Sequence, residues 1–566
     1  MSRCLDTSCE SVEYTNNGED PELPHYLVRL SDDVLRNFEV LNSMYLLDDY
    51  DGLLMYMETQ IDEKSFAVPP YDIVIVLLTL CTVSNHYKDE MVRANDLYNI
   101  TRQQLSKRAI QLLRKFVQIL RDFDLEKYNR YTLELLRCQF FLAIDSFNIR
   151  RAQYSFDRVR RIRTPNAIVY TELSAEEIDS ANEKYIATIE DPYKAYHSSL
   201  KQKFSVFDNN LINLRLSEKG EFINMIIWTL SNSVQKEENL FISSHDIWLP
   251  LLGILMNIFD LRHCYYVDRQ INENVDASLK VQLLGTSPLA LFLKSLDSMQ
   301  LSQRLSEYIF INLSYERDDS YNTYVHPVYY EENTFSKQYI SRINYSENYK
   351  YIISMAMRRK LIGLCFKLLL NVPKGHKLVS PRLVPDDFMK SIVKKLCLFD
   401  NINQFKAFFY IVDLSHELFF IPLLAEMTIG ELYHDMNPSK IKDQLQIVDY
   451  LDNFNKFLEY SIKLIDQGFF TMPIDNSSNN VSSDSDSNDE NSDDKIKYVS
   501  PLQKIDICFS VVLRYAVHLN DDGLEKSNIA LFEQFIRAVN SVDQRRKKDA
   551  SCKISLYEKV AKILNV

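Results

Sequence analysis

Between Gly220 and Leu261 the chain reads GEFINMIIWTLSNSVQKEENLFISSHDIWLPLLGILMNIFDL, a stretch that holds both of its tryptophans. No fold can leave such a segment in water. From Phe222 to Leu230 only Asn224 and Thr229 are polar, so a helix here has no face to offer solvent and must be sheathed by neighbours. The polar run Ser231 to Glu238 predicts a connection that returns the chain into a second apolar helix. Ser243 and Asp246 predict a capping box at its start, and Pro250 predicts a bend within it.

A sheathed hairpin needs many partners, and the rest of the chain supplies them as helices. Ten glycines in 566 residues fall far below the usual share of about 7%, whereas nucleotide-binding α/β folds spend glycines on phosphate loops and tight turns. The expected fold class is therefore all-α and multi-helical, with two or more packed helical lobes and no catalytic domain. Nine cysteines without a CxxC pair read as buried thiols of a reduced compartment. The polar, acidic N-terminus is neither a signal peptide nor a basic transit sequence. The longest uncharged apolar run, Ile73 to Val83, is shorter than the roughly 20 residues that span a bilayer, so no membrane partner is expected.

In chain order, residues 1–23 read as a disordered tail and 24–147 as an N-terminal helical lobe. That lobe contains a hairpin broken between Asp48 and Gly52, an apolar helix from Tyr71, and an amphipathic helix capped by Thr101 with Gln104. Residues 148–205 form a basic and polar connecting region, and 206–314 carry the central hairpin and the helices after it. Ser287 followed by Pro288 marks a further helix start. Residues 315–352 read as a long tyrosine-rich loop. A C-terminal helical lobe spans 353–473, with Asp386 as a helix cap. An acidic Ser/Asp insert expected to lack structure covers 474–498, and closing helices fill 499–566.

Chemistry-bearing patterns are few. There is no GxxxxGK[ST], GxGxxG, HExxH or GxSxG, and the ten histidines lack metal-ligand spacing; no cofactor and no metal are expected. Arg150, Arg151, Arg158, Arg160, Arg161 and Arg163 make a concentrated positive segment in a chain of net charge −13. These arginines are candidates for contact with phosphates or an acidic partner, or else a solvated helix end paired with carboxylates elsewhere. In the insert, Ser483 and Ser487 have acids three residues downstream and are candidate phosphorylation sites. Arg545 to Lys548 read as a small basic patch on a solvated turn. Asp72 followed by Ile73, Val74, Ile75 and Val76 matches the acid-flanked aliphatic tetrad that adds a strand to the modifier SUMO, or is simply core. Burial inside a helix decides between the two.

The blocks ELLRCQFFLAIDS (134–146), GEFINMIIWTLSNS (220–233), SSHDIWLPLL (243–252), HPVYYEENT (326–334), RRKLIGLCFKLLLNVP (358–373) and FFIPLLAE (419–426) give the chain its resemblance. In that order it resembles the fungal fifth non-SMC element of the SMC five-six complex, the DNA-repair branch of the structural-maintenance-of-chromosomes ATPases. The resemblance implies a non-enzymatic, all-helical subunit, nuclear and chromosome-associated. It implies an obligate heterodimer with the sixth non-SMC element, docking on the SMC five-six ATPase core, restraint of ATP turnover and assistance with chromatin loading. Support of the SUMO machinery follows from it too, with DNA contacted mainly indirectly. If the resemblance misleads, the composition fits a helical scaffold of another nuclear or trafficking complex.

Overall fold

A computed structural model describes residues 26–82, 101–147, 211–216, 221–233, 239–271, 275–294, 300–311, 313, 350–378, 381–399, 401–410, 414, 419–438, 445–471, 490–520, 528–548 and 555–564. Among these residues every named element is helical, and an isolated antiparallel bridge joins Leu378 to Leu383.

The first elements are α1 (Asp32–Leu46), α2 (Tyr50–Gln60), α3 (Tyr71–Leu80), α4 (Arg102–Asp122) and α5 (Arg130–Asp145). Asp49 accepts from the Gly52 amide at 3.1 Å to start α2, and a Cβ on Gly52 would collide with that same carboxylate. Both halves of the expected capping box open α4: the Thr101 hydroxyl accepts from the Gln104 amide, and Gln104 Oε1 accepts from the Thr101 amide. Leu105, Ala109, Leu112, Leu113, Phe116 and Leu120 form its buried face. α3 has no solvent face at all, because every residue from Asp72 to Leu80 is buried against α1, α4, α5 and α6 (Ile212–Leu216). Each Leu or Ile so enclosed contributes roughly 1.5–3 kcal/mol.

The central hairpin is α7 (Glu221–Asn232) packed on α8 (Asn239–Gln270), with Trp248 fully buried. α8 begins at Asn239, so Ser243 and Asp246 stand inside the helix and not at its start. The apolar run Leu240 to Ile242 extends the pattern upstream of the expected cap. The helix runs on through Pro250. The segment Asp246–Gln270 is long and apolar enough to cross a membrane, but more than half of its most apolar window is buried inside the protein. α8 packs on α4 and α5 on one side and on α7, α10 (Pro288–Lys294) and α12 (Lys350–Leu370) elsewhere. Ser287 caps α10 as expected, accepting from the Ala290 amide at 3.3 Å, and α9 (Ala277–Thr286) and α11 (Leu301–Ile309) flank it in sequence.

The C-terminal half comprises α13 (Pro385–Cys397), α14 (Ile402–Phe409), α15 (Phe420–Met436), α16 (Phe454–Asp466), α17 (Glu490–Leu519), α18 (Ile529–Lys548) and α19 (Leu556–Leu564). α13 starts with Pro385 after Val384, which makes no side-chain cap; Asp386 and Asp387 lie in its first turn and act on the helix dipole. α17 packs on α14, α15, α16 and α19. It begins at Glu490, inside the acidic stretch expected to lack structure. Buried side chains from Leu41 to Val560 join one apolar network, beside a small satellite of Tyr26, Cys138 and Phe141.

Candidate partner-binding scaffold

Three consecutive basic residues of α12 tie the middle of the molecule together. Successive helical positions point about 100° apart, and Arg358, Arg359 and Lys360 point three ways, reaching four other helices between them. Arg358 is fully buried. Its guanidinium donates to Leu230 O at 2.8 Å, to Ile309 O, to Ile311 O at 3.4 Å, and to the Ser233 and Ser354 hydroxyls at 3.2 Å each. Those carbonyls close the C-terminal ends of α7 and α11, where the helix dipole is negative and free carbonyls await donors. Burial pulls the Arg358 pKa down to about 9. Arg359 repeats the device on α14, donating to Phe408 O at 2.7 Å and Ala407 O at 3.2 Å, and burial lowers it to about 10. Lys360 donates to the Asn257 side chain on α8, and two turns further Lys367 bridges both oxygens of Asp260 at 2.8 Å.

The same chemistry recurs at the C-terminal end. Lys504 of α17 donates to Cys397 O, at the end of α13. Arg546 of α18 is buried, holds both oxygens of Asp506 at 2.8 and 3.0 Å, and also donates to Phe470 O at 2.9 Å. Lys559 adds a third bond to Asp506 at 3.1 Å. Arg545 to Lys548 are thus not a solvated turn: they end a helix, and one of them is an internal tie. Asp543 in turn accepts from the Leu556 and Tyr557 amides and the Ser555 hydroxyl, capping α19 from outside.

At the opposite end the segment after Tyr26 straps α5 to α8. Tyr26 donates to Asp145 at 2.7 Å, Arg262 pairs with Asp145 at 3.2 Å, and the Arg262 guanidinium lies 4.6 Å from the Tyr26 ring. Arg137 packs similarly over Tyr265 at 4.5 Å. A wholly apolar cleft of about 500 Å³, open mouth included, lies between α7, α10, α11 and α12, walled by Ile226, Phe292, Tyr308, Leu364 and Cys365 among others. It can take an apolar side chain and nothing charged.

The SUMO tetrad is settled by burial. Ile73, Val74, Ile75 and Val76 are each at most 1% exposed, inside α3, so no edge is presented for strand addition; the run is core. The candidates Arg150, Arg151, Arg158, Arg160, Arg161 and Arg163, together with Ser483 and Ser487, lie outside the described residues, as does the tyrosine-rich loop up to residue 349. Among the described residues no group of three or more His, Cys, Asp or Glu gathers in metal-binding geometry.

Residues 6–553 match the profile of the family described as DNA repair proteins Nse5 and Nse6. The chain belongs to the Nse5 family. A relative from Saccharomyces cerevisiae, the non-structural maintenance of chromosome element 5, is 44% identical over 499 residues, covering 88% of this chain and 86% of that protein. The Nse5 match runs through α1 to α18, so the internal arginine ties described above belong to the matched region.

Proposed function

We propose that the chain is a non-catalytic subunit of the SMC five-six complex, pairing with the sixth non-SMC element and resting on the SMC ATPase core in the nucleus. In this reading it restrains ATP turnover, assists loading on chromatin and supports sumoylation by the complex. The observation that carries it is the family match over nearly the whole chain. The architecture supports it: one apolar network tied internally by buried cations suits a rigid body that holds partner surfaces in register. The SUMO role rests on the family alone, since the tetrad at 73–76 is buried.

The test is affinity purification of the tagged protein from nuclear extract with a moderately high-salt wash, followed by ATPase assays on the recovered assembly. The reading expects the SMC pair and a stoichiometric sixth element, with ATP turnover rising when this subunit is omitted. Recovery of a different stable assembly without the SMC pair would overturn it.

A further inference from the structure

Between α12 and α13 the chain changes sign. Residues 371–398 carry six lysines and arginines against two aspartates, in a protein of net charge −13. Lys374, Lys377, Arg382, Lys390 and Lys394 are all exposed, and among the described residues none has a hydrogen-bond or ion-pair partner for its side chain. The two aspartates, Asp386 and Asp387, sit at the positive end of α13.

The loop that carries the first three cations is held in shape. The Val372 amide donates to Leu369 O and the His376 amide to Pro373 O, both at 3.1 Å. Gly375 at φ +80°, a left-handed conformation that favours glycine, turns the chain between Lys374 and Lys377. Leu378 and Leu383 then bridge antiparallel with both side chains buried, pinning the base of the loop and leaving Arg382 outside. Phe388 of α13 packs on Phe366 of α12, ring centroids 5.5 Å apart, so the loop is seated where the two helices meet. Lys390 and Lys394 continue the charge along one face of α13, one turn apart.

We propose that this loop and the exposed row of α13 contact the phosphate backbone of duplex DNA, without reading bases. Four of the five cations are lysines, point charges that suit phosphates and are depleted from protein interfaces. They are strung over a loop and a helix, not gathered in one pocket, which matches a polymer of repeated charge. The exposed apolar side chains Leu370 and Leu398 flank the row in sequence and do not interrupt it. The surface is distinct in sequence from the Arg150–Arg163 segment, and it adds direct contact where the family resemblance implied mainly indirect contact.

The experiment is fluorescence anisotropy of a short labelled duplex with the purified full-length chain across roughly 50–200 mM salt, where phosphate contacts govern affinity. Lys390→Gln/Lys394→Gln should weaken binding and flatten the log–log salt slope by about 2; Lys374→Gln/Lys377→Gln/Arg382→Gln should flatten it by about 3. All five side chains are exposed, so both variants should keep the parent's circular dichroism and thermal transition. The same decrements should persist in a background where Arg158, Arg160 and Arg161 are neutralised. Unchanged slopes, or a parent chain that does not bind the duplex at low salt, would overturn the proposal. It falls equally if the variants lose the SMC pair or the sixth element while duplex binding is untouched, which would make the patch a protein contact. Complex membership itself is read by the purification above and stands or falls independently.

Discussion

Replacing Arg358 by Met keeps an unbranched stem of similar length and removes every donor, which sets two large effects against each other. The charge is buried without a carboxylate among its hydrogen-bond partners, so taking it out of water costs several kcal/mol that the substitution returns. Against this stand two close carbonyl bonds, to Leu230 and Ile309, each worth about 1.5–3 kcal/mol when the donor is charged. The weaker bonds to Ile311 O and the two serines add less, and Ser233 and Ser354 can still bond each other at 3.0 Å. The carbonyls would be left at buried helix ends, at about 1–3 kcal/mol each. A net loss of about 2–4 kcal/mol is expected, or a fall in the urea midpoint of about 1 M for a slope near 3 kcal/mol/M. Because a chain this size need not unfold in one step, hydrogen exchange locates the effect: protection should drop at the ends of α7 and α11 and stay unchanged in α18. A Met variant as stable as the parent, with unaltered exchange there, would refute the claim that Arg358 holds these helices together.

Three further outcomes follow from buried charges elsewhere. Asp506→Asn removes the charge that neutralises buried Arg546 and should cost about 3–5 kcal/mol in denaturant unfolding, with exchange rising in α17 to α19. Glu426, buried and bonded to the Val448 amide at 2.7 Å, is pushed up to about 7 by burial; its contribution is full below the ordinary glutamate pKa and is lost as pH rises through 7. Glu426→Gln keeps the acceptor, so it should match the parent near pH 4 and exceed it by about 1–3 kcal/mol at pH 8. His263 has neither ring nitrogen hydrogen-bonded, and burial lowers it to about 4 despite Asp260 nearby, with Lys367 and Arg262 adding to the depression. Its contribution holds above the ordinary histidine pKa and is lost as pH falls toward 4, so between pH 7.5 and 5 the parent should lose about 2 kcal/mol more than His263→Gln, measured by thermal or urea melts.

Where helices begin was readable when side chain and backbone act locally. Thr101 with Gln104 and Ser287 before Pro288 needed only neighbouring residues, and both caps form. Ser243 misled because serines and an acid also occur inside a helix whose apolar run starts upstream. The functional part was less legible. Arg358 to Lys360 look like a helix start from the sequence, and Arg545 to Lys548 like surface; what buries Arg358 and Arg546 is carbonyls at the ends of other helices, which carry no residue-type signal. A cue existed nonetheless, since Arg358 and Arg359 are set between the apolar pairs Met355/Met357 and Leu361/Ile362 of one helix, all four of them buried. The tetrad at 73–76 is the converse: its motif was visible, and only the sheath of α1, α4, α5 and α6 shows it to be core.

The three-way reach of Arg358, Arg359 and Lys360 has a practical consequence for anyone mapping partners. A fragment that stops before α12 leaves two helix termini, those of α7 and α11, without the donor that closes them; one that starts after it strips α14 of its own. Either piece exposes apolar surface the intact chain never shows, and whatever sticks to it says little about the native assembly. Deletion series are therefore a poor instrument for this protein. Exchanges of single exposed side chains on the full-length chain will report true contacts.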